Sequence, residues 1–175
     1  KIYVRFKKNN SSEKIDKFIT KKFNKSIIFQ SDNFLVINKW CGISSQGGTN
    51  VIISIDKIIK SISNNYNLVH RLDKETSGLM IIAKNLKYTK LFGEFFKHQK
   101  LKKTYLALCD GKPNLTESYV DLLIDSKEKE KKIKTKTFYK LISYNKKTSL
   151  IKFVPQTGKK HQISLVAKNL GCPIV

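Results

Sequence analysis

Leu68-Val69-His70-Arg71-Leu72-Asp73-Lys74-Glu75-Thr76-Ser77-Gly78-Leu79-Met80-Ile81-Ile82-Ala83-Lys84 places a guanidinium and a carboxylate two residues apart between two apolar runs. On a strand or extended turn that spacing sends Arg71 and Asp73 off one face and Leu72 off the other. Leu68-Val69 before the pair and Leu79 to Ala83 after it read as buried strands, so the charged pair is expected on a short loop between them. Thr76-Ser77-Gly78 has the composition of a tight polar turn that returns the chain to a sheet. A bare Arg-x-Asp is commonly a surface salt bridge of little consequence. The weight of the reading therefore rests on the wider segment.

Charge is the next signal. The 175 residues carry 35 basic against 13 acidic side chains, a formal charge of +22. Such a field attracts polyanions and adds salt-dependent, sequence-blind affinity for phosphate backbones. The arginines are Arg5 and Arg71 alone, with lysine supplying the rest of the charge. An A- and T-rich gene would explain lysine in place of arginine, yet not the shortage of acids. Where arginine is so scarce, one kept beside Asp73 is less easily incidental. Cys41, Cys109 and Cys172 are odd in number and far apart, which suits neither a zinc knuckle nor a disulfide framework. No apolar run approaches the ~18 residues of a membrane span. The N-terminal residues do not have the pattern of a secretion signal. A cytoplasmic monomer with one main core is the expectation.

Outward from the central stretch, Ile27 to Lys39 reads as a strand, a turn at Ser31-Asp32-Asn33 and a second strand. Ser45-Gln46-Gly47-Gly48-Thr49 reads as a flexible loop, and Val51 to Asn64 as an amphipathic helix covering the sheet. Lys87 to Gln99 is a further helix whose Leu91, Phe92, Phe95 and Phe96 suit a core. Lys102 to Leu108 alternates as a strand, with Tyr105 facing opposite to Leu106. Ser126 to Thr137 is lysine-rich and reads as a solvated hairpin or loop. Thr137 to Ile142 and Ser149 to Val154 suit antiparallel strands, and Pro155 to Leu165 opens a helix through Lys168. At the N-terminus, Lys1 to Phe6 suits a strand. A helix follows from Glu13, with Ser12 as its cap and Ile15, Phe18, Ile19 and Phe23 at helical spacing.

Several of these segments resemble motifs of one family, in order along the chain. The run around His70-Arg71-Leu72-Asp73 resembles the catalytic signature of RNA pseudouridine synthases of the RluA/RluC/RluD type, closest to the RluC type. Ile28 to Ile43 is similar to the family's first motif, with Trp40 where a proline usually follows the lysine. The Gly47-Gly48 loop is close to the RluC version. Lys103-Thr104-Tyr105-Leu106-Ala107 resembles the Lys-x-Tyr-x-Ala element. Thr157-Gly158-Lys159-Lys160-His161-Gln162-Ile163-Ser164 resembles Thr-Gly-Arg-x-His-Gln-Ile-Arg. The resemblance covers roughly residues 27 to 175, and the family usually continues beyond Val175.

The resemblance implies an α+β pseudouridine synthase-like fold: a long, mostly antiparallel mixed sheet with flanking helices and a basic cleft, truncated at its C-terminus. It implies a remnant of an RNA-binding domain with linker over residues 1–25 and the catalytic domain over 26–175. The implied activity is isomerisation of uridine to pseudouridine in large-subunit (23S-type) ribosomal RNA, an intramolecular transfer. Breaking the glycosidic bond, turning the uracil and rejoining it through carbon five exchanges no electrons with a carrier, so neither cofactor nor metal is expected. Asp73 is the implied catalytic carboxylate, acting either as nucleophile or as base on the sugar. Arg71, Tyr105, Lys159, His161 and Gln162 are the implied substrate-binding residues, with Lys39 expected around the same cleft. Arg71 would help extrude the target base and Tyr105 would lie against it. The family's last motif ends in a basic residue that pairs with the aspartate, and this chain has Ser164 there. Lys159, in place of the earlier arginine, keeps charge but loses bidentate geometry. A catalytically weakened or inactive RNA-binding homologue is the competing reading.

Overall fold

The computed structural model describes residues 16–49, 51–125 and 132–175. The chain divides into two compact units, Lys1–His98 and Gln99–Val175. The strand expected over residues 1–6 and the cap at Ser12 lie outside the described residues.

The first unit orders its strands β1-β2-β4-β3, all antiparallel. β1 (Ile27–Gln30) and β2 (Phe34–Lys39) form the expected hairpin. Ser31 closes its turn, the hydroxyl bonding the Phe34 carbonyl and accepting from the Asn33 and Phe34 amides. β3 is only Asn67–Leu68, and β4 is Gly78–Ala83. Helix α1 (Lys17–Ser26) is capped by Asp16, whose carboxylate accepts from the Phe18 amide. It crosses the expected boundary at residue 25 and buries Phe23.

α2 (Ile55–Ile62) is shorter than its amphipathic pattern, because Ser54 is held extended by a bridge to Ser44 and caps the helix instead. Its Ile55, Ile58, Ile59 and Ile62 are buried at the spacing of one helix face. α3 (Leu86–Lys97) starts at an Asn85 cap and stops two residues short of the expected Gln99, which takes a left-handed φ of 55°. Phe92 is buried, whereas Leu91 is 40% exposed.

The second unit orders its strands β5-β8-β7-β6, again all antiparallel. These are β5 (Tyr105–Asp110), β6 (Glu117–Asp125), β7 (Lys132–Tyr144) and β8 (Thr148–Pro155), followed by α4 (Gln162–Asn169). Where one long sheet was expected, the strands thus pair as two sets of four. Of the stretch expected to be a solvated hairpin or loop, residues 132–137 are strand: β7 pairs antiparallel with β6 from Lys132 onward, as the arm of a hairpin does. Residues 126–131 of that stretch lie outside the described ones. α4 packs Val166 and Ala167 against Tyr139, Ile151 and Phe153 on one face of the sheet, with Cys109 and Cys172 in the same core. No helix among the described residues is long and apolar enough to cross a membrane.

Candidate active site

Residues 69–77 link β3 to β4, the short loop that the flanking apolar runs imply. Arg71 and Asp73 are exposed while Leu72 between them is 9% exposed, so the alternation holds through the loop. The turn itself lies earlier than Thr76-Ser77-Gly78. The Thr76 amide donates to the Asp73 carbonyl at 3.1 Å. Gly78 is already the first residue of β4, paired with Lys39, which leaves it unavailable to the turn.

Lys39 sits at the end of β2 beside that loop and is fully buried, which overturns the expectation that it lines an open cleft. Its ammonium donates to the carbonyls of Trp40 (3.1 Å), Ile43 (2.9 Å) and Lys74 (3.2 Å). The Lys74 carbonyl also accepts from the Gly42 amide at 3.0 Å. Burial pushes the Lys39 pKa below the ordinary lysine value, with Cys41, Glu75 and Asp73 acting the other way. One cation thereby ties the segment after β2 to the residue following Asp73.

A second clasp comes from the loop expected to be flexible. Ser45 is 4% exposed; its hydroxyl accepts from the Leu72 amide at 3.0 Å and donates to the Leu72 carbonyl. Next to it, Gln46 accepts from the Arg71 guanidinium at 3.2 Å. His70 completes the support. Its Nε2 accepts from the Ile81 amide at 2.9 Å and its ring stacks on Phe96, centroids 4.5 Å apart. Acceptance at Nε2 places the ring proton on Nδ1. An exposed carboxylate on a loop clamped from three sides can meet a ligand without first ordering its own backbone.

The other sequence candidates lie in the second unit. Tyr105 is partly buried on the core side of β5, opposite Phe153 in register. Lys159 and His161 are exposed, and His161 takes a left-handed φ of 54° just before α4. Ser164 is exposed in the first turn of α4. Gln162 is 3% exposed. Its Oε1 accepts from the Thr157 hydroxyl (2.8 Å) and the Lys159 amide (3.0 Å), and its Nε2 donates to Thr137 Oγ1 (2.9 Å). That side chain is occupied in shaping the loop that presents Lys159 and His161.

Residues 33–168 match the sequence pattern of the RNA pseudouridylate synthase family. The chain belongs to that family. The synthase pattern runs through the clamped loop, Tyr105 and the segment before α4. The chain is 39% identical to ribosomal large subunit pseudouridine synthase C of Rickettsia bellii (strain RML369-C) over 163 residues, 85% of this chain and 54% of that protein. It is 41% identical to the protein of the same name from Rickettsia felis (strain ATCC VR-1525 / URRWXCal2), with 85% and 53% covered. It spans about half the length of these curated relatives. Among solved structures, human RNA pseudouridylate synthase domain containing 4 is similar, with a TM-score of 0.74 at 25% identity over 90% of this chain and 69% of that one. Ser45, Gln46 and the buried role of Lys39 are what sequence reasoning missed. The only local signal was a serine and a glutamine ahead of a Gly-Gly pair.

Proposed function

We propose that this chain converts specific uridines of large-subunit ribosomal RNA into pseudouridine, with Asp73 as the carboxylate that attacks or deprotonates the sugar. The observation that carries this reading is the exposed Asp73 on a loop locked by Lys39, Ser45 and His70, inside the segment that matches the family. The names of the relatives supply the substrate class. Holding the carboxylate in place serves both halves of the reaction. The same group must stay near the sugar while the glycosidic bond breaks, the uracil turns, and carbon five takes the place of nitrogen. Arg71 is offered as a contact to the RNA backbone beside the extruded nucleotide, where a cation offsets part of the unstacking cost. Tyr105 supplies a ring and hydroxyl for the base, and Lys159 and His161 supply polar contacts. Gln162 acts through the order of their loop.

Ser164 supports the competing reading of an RNA-binding protein with weakened catalysis, because the family's basic residue is absent from an exposed position in α4. One experiment separates the two. Pseudouridine is mapped in ribosomal RNA from cells carrying only wild type, Asp73→Asn or Ser164→Arg. Asp73→Asn should abolish the modification while RNA affinity stays near wild type, since the amide keeps the shape and removes the carboxylate. Ser164→Arg should raise the modified fraction by restoring the missing cation. Unmodified uridines in both wild type and Ser164→Arg, with RNA still bound, would sink the enzyme reading.

A further inference from the structure

The sheet of the second unit has a face that α4 leaves open. Tyr105, Tyr139 and Phe153 point to the α4 side, so their strand neighbours Leu106, Phe138, Lys152 and Val154 point away from it. On that open side Tyr119 and Phe138 stand opposite each other on β6 and β7, ring centroids 5.3 Å apart. Tyr119 is 56% exposed. The Lys136 ammonium lies 4.7 Å from its ring centroid. A groove of about 600 Å³ runs past this pair, lined by Lys100, Lys102, Lys103 and Lys152 and, among the described residues, by no carboxylate. On the same face Glu117 pairs with Lys140 at 2.8 Å and Asp121 with Lys134 at 3.4 Å, and neither Asp110 nor Asp125 lines the groove. Lys103 is spent on the Thr157 carbonyl, so the outward charge comes chiefly from its neighbours.

We propose that this groove is an accessory binding site for single-stranded RNA, on the face of the sheet opposite Tyr105. An exposed Tyr119 ring beside a half-buried Phe138 ring on a sheet, flanked by lysines, offers what an unpaired polynucleotide needs: flat apolar surfaces for bases and cations for phosphates. An apolar protein segment would not need four lysines, and a duplex presents no free base faces to the rings. The choice of RNA as ligand rests on the function proposed above, while the location rests on the groove.

The test uses the full chain and a single-stranded oligouridine of about ten nucleotides, labelled for fluorescence anisotropy, with polyphosphate of similar length as a base-free control. Tyr119→Ala should weaken oligouridine binding about tenfold, within the range expected for losing one base–aromatic stack. The same variant should leave polyphosphate binding unchanged. Lys102→Gln with Lys152→Gln should weaken both. A 4-thiouridine version of the probe, crosslinked and mapped by mass spectrometry, should mark Tyr119 or Phe138 in wild type and in Asp73→Asn alike. Oligouridine affinity of Tyr119→Ala equal to wild type, or loss of self-association as its only effect, would overturn the proposal and make the face a protein interface. Crosslinks confined to the Asp73 loop in a chain that forms pseudouridine would also overturn it and leave the enzyme reading standing. Crosslinks at Tyr119 in a wild-type chain that forms none would do the reverse.

Discussion

A lysine that leaves water loses several kcal/mol of hydration, so a fully buried one persists only where its protons find acceptors. Lys39 finds three carbonyls, and through Lys74 it fixes the residue next to Asp73. Lys39→Met keeps the stem and removes every donor. It should cost on the order of 2–4 kcal/mol, because the Ile43 carbonyl loses its donor in a buried place and the partly buried Trp40 carbonyl loses its own, while Lys74 keeps only the Gly42 amide. Urea unfolding followed by circular dichroism would read this as a lower midpoint at unchanged slope. A midpoint equal to wild type would mean that other donors satisfy those carbonyls. Lys39→Arg is not a safe substitute, since the planar fork cannot point at three carbonyls gathered round one nitrogen.

Among the elements, β5 couples chemistry to stability through Cys109. It is fully buried, and burial, with Cys172 beside it, pushes its pKa from 9.0 up to about 11. Above pH 9 the unfolded chain releases this proton while the folded chain keeps it. The folded state therefore binds more protons, and stability present below about pH 9 is lost as pH rises toward 11. The urea midpoint of wild type should thus fall more steeply between about pH 8.5 and 10.5 than that of Cys109→Ala, which lacks the group. Lysines titrate in both proteins, so the difference isolates the thiol. Parallel curves would show that Cys109 is reached by solvent in the folded state.

For the whole molecule the governing quantity is +22 charges on 175 residues. Phosphate contacts release counterions, each contributing roughly −0.7 to the slope of log affinity against log salt for a single strand. Binding to a ribosomal RNA fragment should accordingly weaken at least about tenfold between roughly 50 and 200 mM salt. A flat response would separate the charge from RNA binding altogether. The loss should be shared between the units, because exposed lysines occur in both, such as Lys74 in the first and Lys159 in the second.

What the sequence by itself determined is whatever depends on near neighbours. The Ser31 turn, the isoleucine stripe of α2, the Asn85 cap and the out-in-out order of Arg71, Leu72 and Asp73 are set by residues within a few positions of one another. Local hydrogen bonds and the two periodicities suffice for them. The clamps on the Asp73 loop were decided only in the tertiary structure. Lys39 reaches Lys74 across 35 residues and Ser45 reaches Leu72 across 27, and nothing near either residue encodes a carbonyl so far along the chain. The same holds for the faces of the second sheet. Alternation in β5 separates Tyr105 from Leu106, yet hydrophobicity alone would bury the leucine. It is Leu106 that is 64% exposed, because α4 folds onto the other side and takes Tyr105 into its core.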